Sequence, residues 1–223
     1  MLKKLFQSPV GKKVATGVTG LALTGFVLTH MLGNLQYLTS TDAYNEYSHF
    51  LISLGPILWA VEIALVTFFV FHIALGINIA LGKRRARPEA YEVKGSAGSP
   101  SRKSLSSQSM IATGIVLAVF LVVHILSFKY GTYYETTVNG VVMRDLARLM
   151  HEKFQNPFYA FGYPAVVLLL SLHLRHGIWS AFQSLGATRP SLTPIIYTIG
   201  GLLGLAIGVG FLIVPLAIYF GIV

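Results

Sequence analysis

The sequence predicts an all-α integral membrane protein with five helices that cross the bilayer. Three observations carry this reading. Only 11% of the 223 residues are charged and 54% are hydrophobic, against about 25% charged in a soluble domain. The apolar residues gather into five long stretches, each near or above the ~20 residues that cross a hydrocarbon core ~30 Å thick. No segment alternates polar and apolar residues over a strand's length, as a membrane β-barrel requires.

The first span, about residues 14–35, reads VATGVTGLALTGFVLTHMLGNL and follows Lys3, Lys4, Lys12 and Lys13. Its apolar run is too long for a signal-peptide core and no A-x-A-like site follows it, so a retained helix is expected. TDAYNEYSHFLISLGP comes next and starts with Asp42, a good helix N-cap. It reads as a short amphipathic helix lying at the membrane interface. The second span is about 56–81. A loop rich in Gly, Ser and Pro, 82–108, leads to the third span at 109–128. MRDLARLMHEKF then sets Met143, Leu146, Leu149, Met150 and Phe154 on one helical face, a second interfacial helix. The fourth and fifth spans are about 158–182 and 195–219. Residues 1–223 are expected to form a single membrane domain, and no solenoid-type repeat is visible.

The formal net charge is +9. The basic residues sit mainly in short loops and nothing resembles a nucleic-acid-binding module, so no nucleic-acid partner is expected. Segments 1–13 and 82–108 with Arg189 carry twelve Lys/Arg, while 36–55 and 129–157 carry four. The positive-inside rule puts the N-terminus in the cytoplasm and the C-terminus outside.

There are no cysteines. Disulfides, thiolate zinc sites, cysteine-ligated iron–sulfur clusters and haem attached through C-x-x-C-H are excluded within this chain. A redox metal must use other ligands, and seven histidines are available. His30, His72, His124 and His173 fall one in each of the first four spans. His30 lies seventeen residues after Lys13 and His124 seventeen after Ser107, both ~25 Å from the inner end. His72 lies sixteen after Pro56 and His173 sixteen after Pro157, both ~24 Å from the outer end. The depths give an outer layer, His30 with His124, and an inner layer, His72 with His173. Two irons, one above the other, could be ligated from both sides, with porphyrin filling the space between helices. Zinc or copper suits two histidines per layer poorly. Gly33, Gly76 and Gly177 follow their histidines by three or four residues on the same face, where a flat macrocycle could approach the backbone. Helix packing is the plainer role for such glycines, and an interhelical hydrogen bond the plainer role for a lone intramembrane histidine.

The helix count, AYNEYSHF, ATGIVLAVFLVVHILSFK and above all HLRHGIWSAFQSLG resemble the dihaem cytochrome b anchor of succinate dehydrogenase and fumarate reductase (complex II, the type with one large five-helix anchor). The likeness runs along essentially the whole chain. It implies two haem b, the outer ligated by His30 and His124 and the inner by His72 and His173. It implies a flavoprotein (FAD) subunit and an iron–sulfur subunit on the cytoplasmic side of a prokaryotic inner membrane. The chain would then be a non-flavin subunit of an enzyme, passing electrons to a quinone, often menaquinone in this branch, without itself oxidising succinate. Some dihaem fumarate reductases carry a proton-conducting Glu two residues before the fourth-span histidine. Ser171 stands there, which puts that proton path in doubt.

Other residues bear on the same site. Glu62 lies about 9 Å into the bilayer from outside and is a candidate for quinone proton chemistry, or else bonds a neighbouring backbone group or hydroxyl. His49 is a weaker quinone candidate, with plain surface exposure as its alternative. Arg175 and His176 lie inward of His173 and could neutralise haem propionates, although Arg175 could instead reach lipid phosphate and His176 could itself be the ligand. Trp59 and Trp179 are expected in interfacial belts, and His151 at the surface. The basic loop 82–108 could dock soluble subunits or bind anionic lipid, but fixing topology requires no partner. A cytochrome b of a hydrogenase or formate dehydrogenase, and a haem-free transporter or anchor, are the competing functions.

Overall fold

The computed structural model describes residues 8–86 and 104–223; most of the basic loop 82–108 and the first two lysines lie outside them. Five helices in the described residues are long and apolar enough to cross a membrane. The protein is an all-α membrane protein, with one small β-hairpin outside the spans among the described residues.

Helix α1 runs Pro9–Leu35. It begins earlier than the apolar pattern suggests, because Ser8 accepts a hydrogen bond from the Gly11 N–H at 2.9 Å and Pro9 sits at the first helical position. Helix α2 is Thr41–Ser53. Its N-cap is Ser40, bonded to the Ala43 N–H at 3.0 Å. Asp42, expected as the cap, lies in the first turn, where its charge favours the helix dipole. Helix α3, Pro56–Arg85, carries the second span on into the basic segment. A short α4, Leu105–Gln108, precedes α5, Met110–His124, which continues as a π turn over Ile125–Lys129.

The segment after the third span differs from expectation. Strands β1, Glu135–Val138, and β2, Val141–Arg144, pair antiparallel through Asn139 and Gly140. Both turn residues have positive φ, +52° and +80°, as a two-residue type I′ turn requires. Met143 therefore lies in a strand opposite Thr136, not on the helical face assigned to it. Helix α6, Leu146–Phe154, starts after Asp145, whose carboxylate caps the Arg148 N–H. Helices α7, Pro157–Ser184, and α8, Thr193–Tyr219, complete the chain.

Helices α1, α3, α5 and α7 form a ring in which α1 and α5 each pack against both α3 and α7. Helix α8 lies outside it, against α7 and α1. Helix α2, the hairpin and α6 gather at one end, the end that the charge bias predicts to be the outer one. Buried Asn45 latches them: its amide donates to Asp145 at 2.9 Å and its carbonyl accepts from the Ala147 N–H at 2.9 Å. Tyr37, Tyr44, Met150, Phe154 and Ile218 make the apolar core beneath.

Candidate functional site

The ring brings the four span histidines together in two pairs. His30 on α1 and His124 on α5 have ring centroids 5.7 Å apart at the outer layer. His72 on α3 and His173 on α7 are 6.4 Å apart at the inner one. A metal held between two imidazole nitrogens at about 2 Å each sets the centroids roughly 6 Å apart. No group of three or more His, Asp or Glu converges on a metal among the described residues. Two imidazoles suit a metal that brings its remaining ligands with it, as haem iron does.

The inner histidines are held from the two helices facing them. Thr19 Oγ1 lies 3.3 Å from His72 Nδ1, and Thr113 Oγ1 lies 3.1 Å from His173 Nδ1. The next residue in each case is glycine. A Cβ on Gly20 would stand 3.0 Å from His72 Cε1, and one on Gly114 3.5 Å from His173 Cε1. These glycines let the imidazoles close on the neighbouring helix.

Aromatic rings surround the outer histidines. Phe26 stacks on His30 and Phe120 on His124, each one helical turn before its histidine. Phe211, Phe128 and Tyr163 complete the surround. The His124 Nδ1 is buried without a hydrogen-bond partner. A buried polar atom left so is costly, and it suits a site completed by a bound polar group.

The glycines chosen from sequence divide. Gly76 and Gly177 have open space where a Cβ would stand, which leaves room for a flat cofactor beside the histidine one turn away. Gly33 instead admits the Tyr47 ring, which a Cβ would meet at 2.6 Å; it serves the packing of α2 on α1. Spacing along one helix does not reveal Gly20 and Gly114, because they are distant in sequence from the histidines they face.

Arg175 is turned away from the inner pair. It donates to the Tyr197 hydroxyl at 3.3 Å and lies over that ring, because two residues along α7 rotate it to the far side from His173. Three residues along, His176 stays on the His173 side. Ser171 also faces α8, where a Cβ on Gly208 would collide with its hydroxyl. Glu62 is ion-paired with Lys129, a partner absent from the two expected for it. His49 lines a shallow outer groove of about 350 Å³ with Glu46, Ser53 and Asn139. Trp179 is buried on Tyr197 between α7 and α8 rather than in an interfacial belt, whereas Trp59 is exposed.

One signal could have found the threonines. TGLALTGFVLTH, 19–30, and TGIVLAVFLVVH, 113–124, share Thr-Gly-x2-Leu-x2-Phe-x3-His. In both helices Thr and Gly serve an inner histidine of another helix, and His, ten residues after the Gly, lies in the outer layer.

The chain is similar to the succinate dehydrogenase cytochrome b558 subunit of Bacillus subtilis (strain 168), 26% identical over 166 residues that cover 73% of each protein. No family model matches the chain, and no solved structure matches it.

Proposed function

We propose that this chain is the cytochrome b membrane anchor of a succinate:quinone oxidoreductase and holds two b haems. The observation that carries the reading is the pair of cross-helix histidine couples, 5.7 and 6.4 Å between centroids, stacked in one helix ring. The similarity to the Bacillus subtilis subunit supports it. His30 and His124 would hold the outer haem, and His72 and His173 the inner. His173 is preferred to His176 because its ring is the one facing His72. Haem bound there supplies one-electron transfer between the two ends of the membrane.

The residues around the histidines provide order and dryness. Phe26 and Phe120 hold the outer imidazoles by stacking, Gly76 and Gly177 leave room beside the inner ones, and His176 is the remaining candidate for a propionate. The inner end would face the cytoplasm and dock the flavoprotein and iron–sulfur subunits. Glu62 and His49 are assigned to the proton chemistry of a quinone, with menaquinone the first to try, near the outer end.

The test is a purified complex, isolated in mild detergent. Its reduced-minus-oxidised spectrum and haem assay should give two b haems per chain. His30→Ala and His173→Ala should each leave one, and a different one. A flavoprotein and an iron–sulfur chain should co-purify, with succinate-dependent quinone reduction. A haem-free preparation would overturn the reading. Haem with a different soluble partner would point to another quinone-linked dehydrogenase.

A further inference from the structure

We propose that Thr19 and Thr113 are positioning residues for the inner histidine pair, fixing which imidazole nitrogen is bare and how strongly it donates. The inference rests on the haem reading above and deepens it.

The argument is one of proton inventory. A threonine hydroxyl has one hydrogen to donate and lone pairs to accept. The Thr19 hydroxyl donates to the Ala15 carbonyl at 2.9 Å, with Thr16 at 3.2 Å. The Thr113 hydroxyl donates to the Ser109 carbonyl at 3.0 Å, with Met110 at 3.2 Å. With its hydrogen committed to its own helix, each hydroxyl meets the histidine Nδ1 as an acceptor. His72 and His173 must then carry their proton on Nδ1, which leaves Nε2 with a free lone pair. Metal-ligating histidines are oriented in this way by a partner on the other ring nitrogen, and the partner raises ligand basicity. Thr113 is buried, so water does not easily take its place.

The outer pair lacks this arrangement. His124 Nδ1 has no hydrogen-bond partner, and the side-chain group near His30 is the Asn34 amide, 3.4 Å from Nε2. The threonine hydroxyls therefore act on one layer only, and the outer layer is an internal control.

A more basic imidazole stabilises ferric over ferrous iron. Thr19→Val and Thr113→Val keep shape and delete the acceptor. In the intact complex, a redox titration followed in the b-haem absorbance bands should show the inner haem's midpoint potential shifting upward in each variant. The outer haem should hold its potential, and Thr→Ser should restore the inner one. If a valine variant fails to accumulate, Thr→Ala against Thr→Ser makes the same comparison. Unchanged inner potentials, equal shifts in both haems, or serine behaving as valine would overturn the inference while leaving the two-haem reading intact. A wild-type complex without haem would instead sink the reading on which it rests.

Discussion

At the scale of single residues, chemistry here is decided by what stands one bond beyond the histidine. Four imidazoles lie in the same ring of helices, yet two face hydroxyls and two face phenyl rings. The same applies to Glu62. Its carboxylate is shared with Lys129, which also lies near the Trp59 and Tyr130 rings. A carboxylate within a membrane span is a functional candidate, and its role should be read in turnover. If Glu62 hands protons to or from quinone, Glu62→Gln should lower quinone turnover by about tenfold or more while both haem spectra stay unchanged. Normal turnover in that variant would remove Glu62 from the proton path.

At the scale of elements, glycine decides how closely helices approach. Gly200, Gly204 and Gly208 repeat every fourth residue on α8 and present one face to α7. A Cβ on Gly204 would stand 2.9 Å from the Ser171 backbone oxygen, and backbone cannot swing aside as a side chain can. Small residues at such a spacing drive helix association in membranes. Gly204→Val should therefore destabilise the fold by about 1–3 kcal/mol. Gly201→Val, where a Cβ meets nothing within 4 Å, should be tolerated. Thermal unfolding of the two variants in detergent, followed by circular dichroism, checks the contrast; equal midpoints would refute the seam.

At the scale of the whole molecule, the ring is two similar halves. In each, a helix with an outer-layer histidine in its last two turns is followed by a cover at that end and a returning helix with an inner-layer histidine. The repeated Thr-Gly-x2-Leu-x2-Phe-x3-His marks the rising helices, and His-x3-Gly at His72 and His173 marks the returning ones. The arrangement explains why both Thr–Gly pairs face a histidine of the adjacent returning helix. Five spans among the described residues would set the termini on opposite sides, and the positive-inside rule predicts a cytoplasmic N-terminus. Reporter fusions should give a cytoplasmic N-terminus and an external C-terminus. Both termini reported on one side would refute the topology.

Length and apolarity were enough to read the five spanning helices, since a bilayer leaves backbone polar groups no partner outside the helix itself. A fixed rise per residue was enough to sort four histidines by depth, and the same pairs meet across the ring. Rotation about the helix axis was not legible in that way. It turns Arg175 toward Tyr197, Gly33 toward Tyr47 and Ser171 toward Gly208. The Asn139–Gly140 turn was readable as a hairpin signal but was masked by the helical pattern that follows it. Depth is a property of one chain segment, and one sequence contains it. The face a residue presents depends on which helices flank it, and only the packed ring decided that: it set Thr19 and Thr113 against the inner histidines and left His124 Nδ1 without a bond.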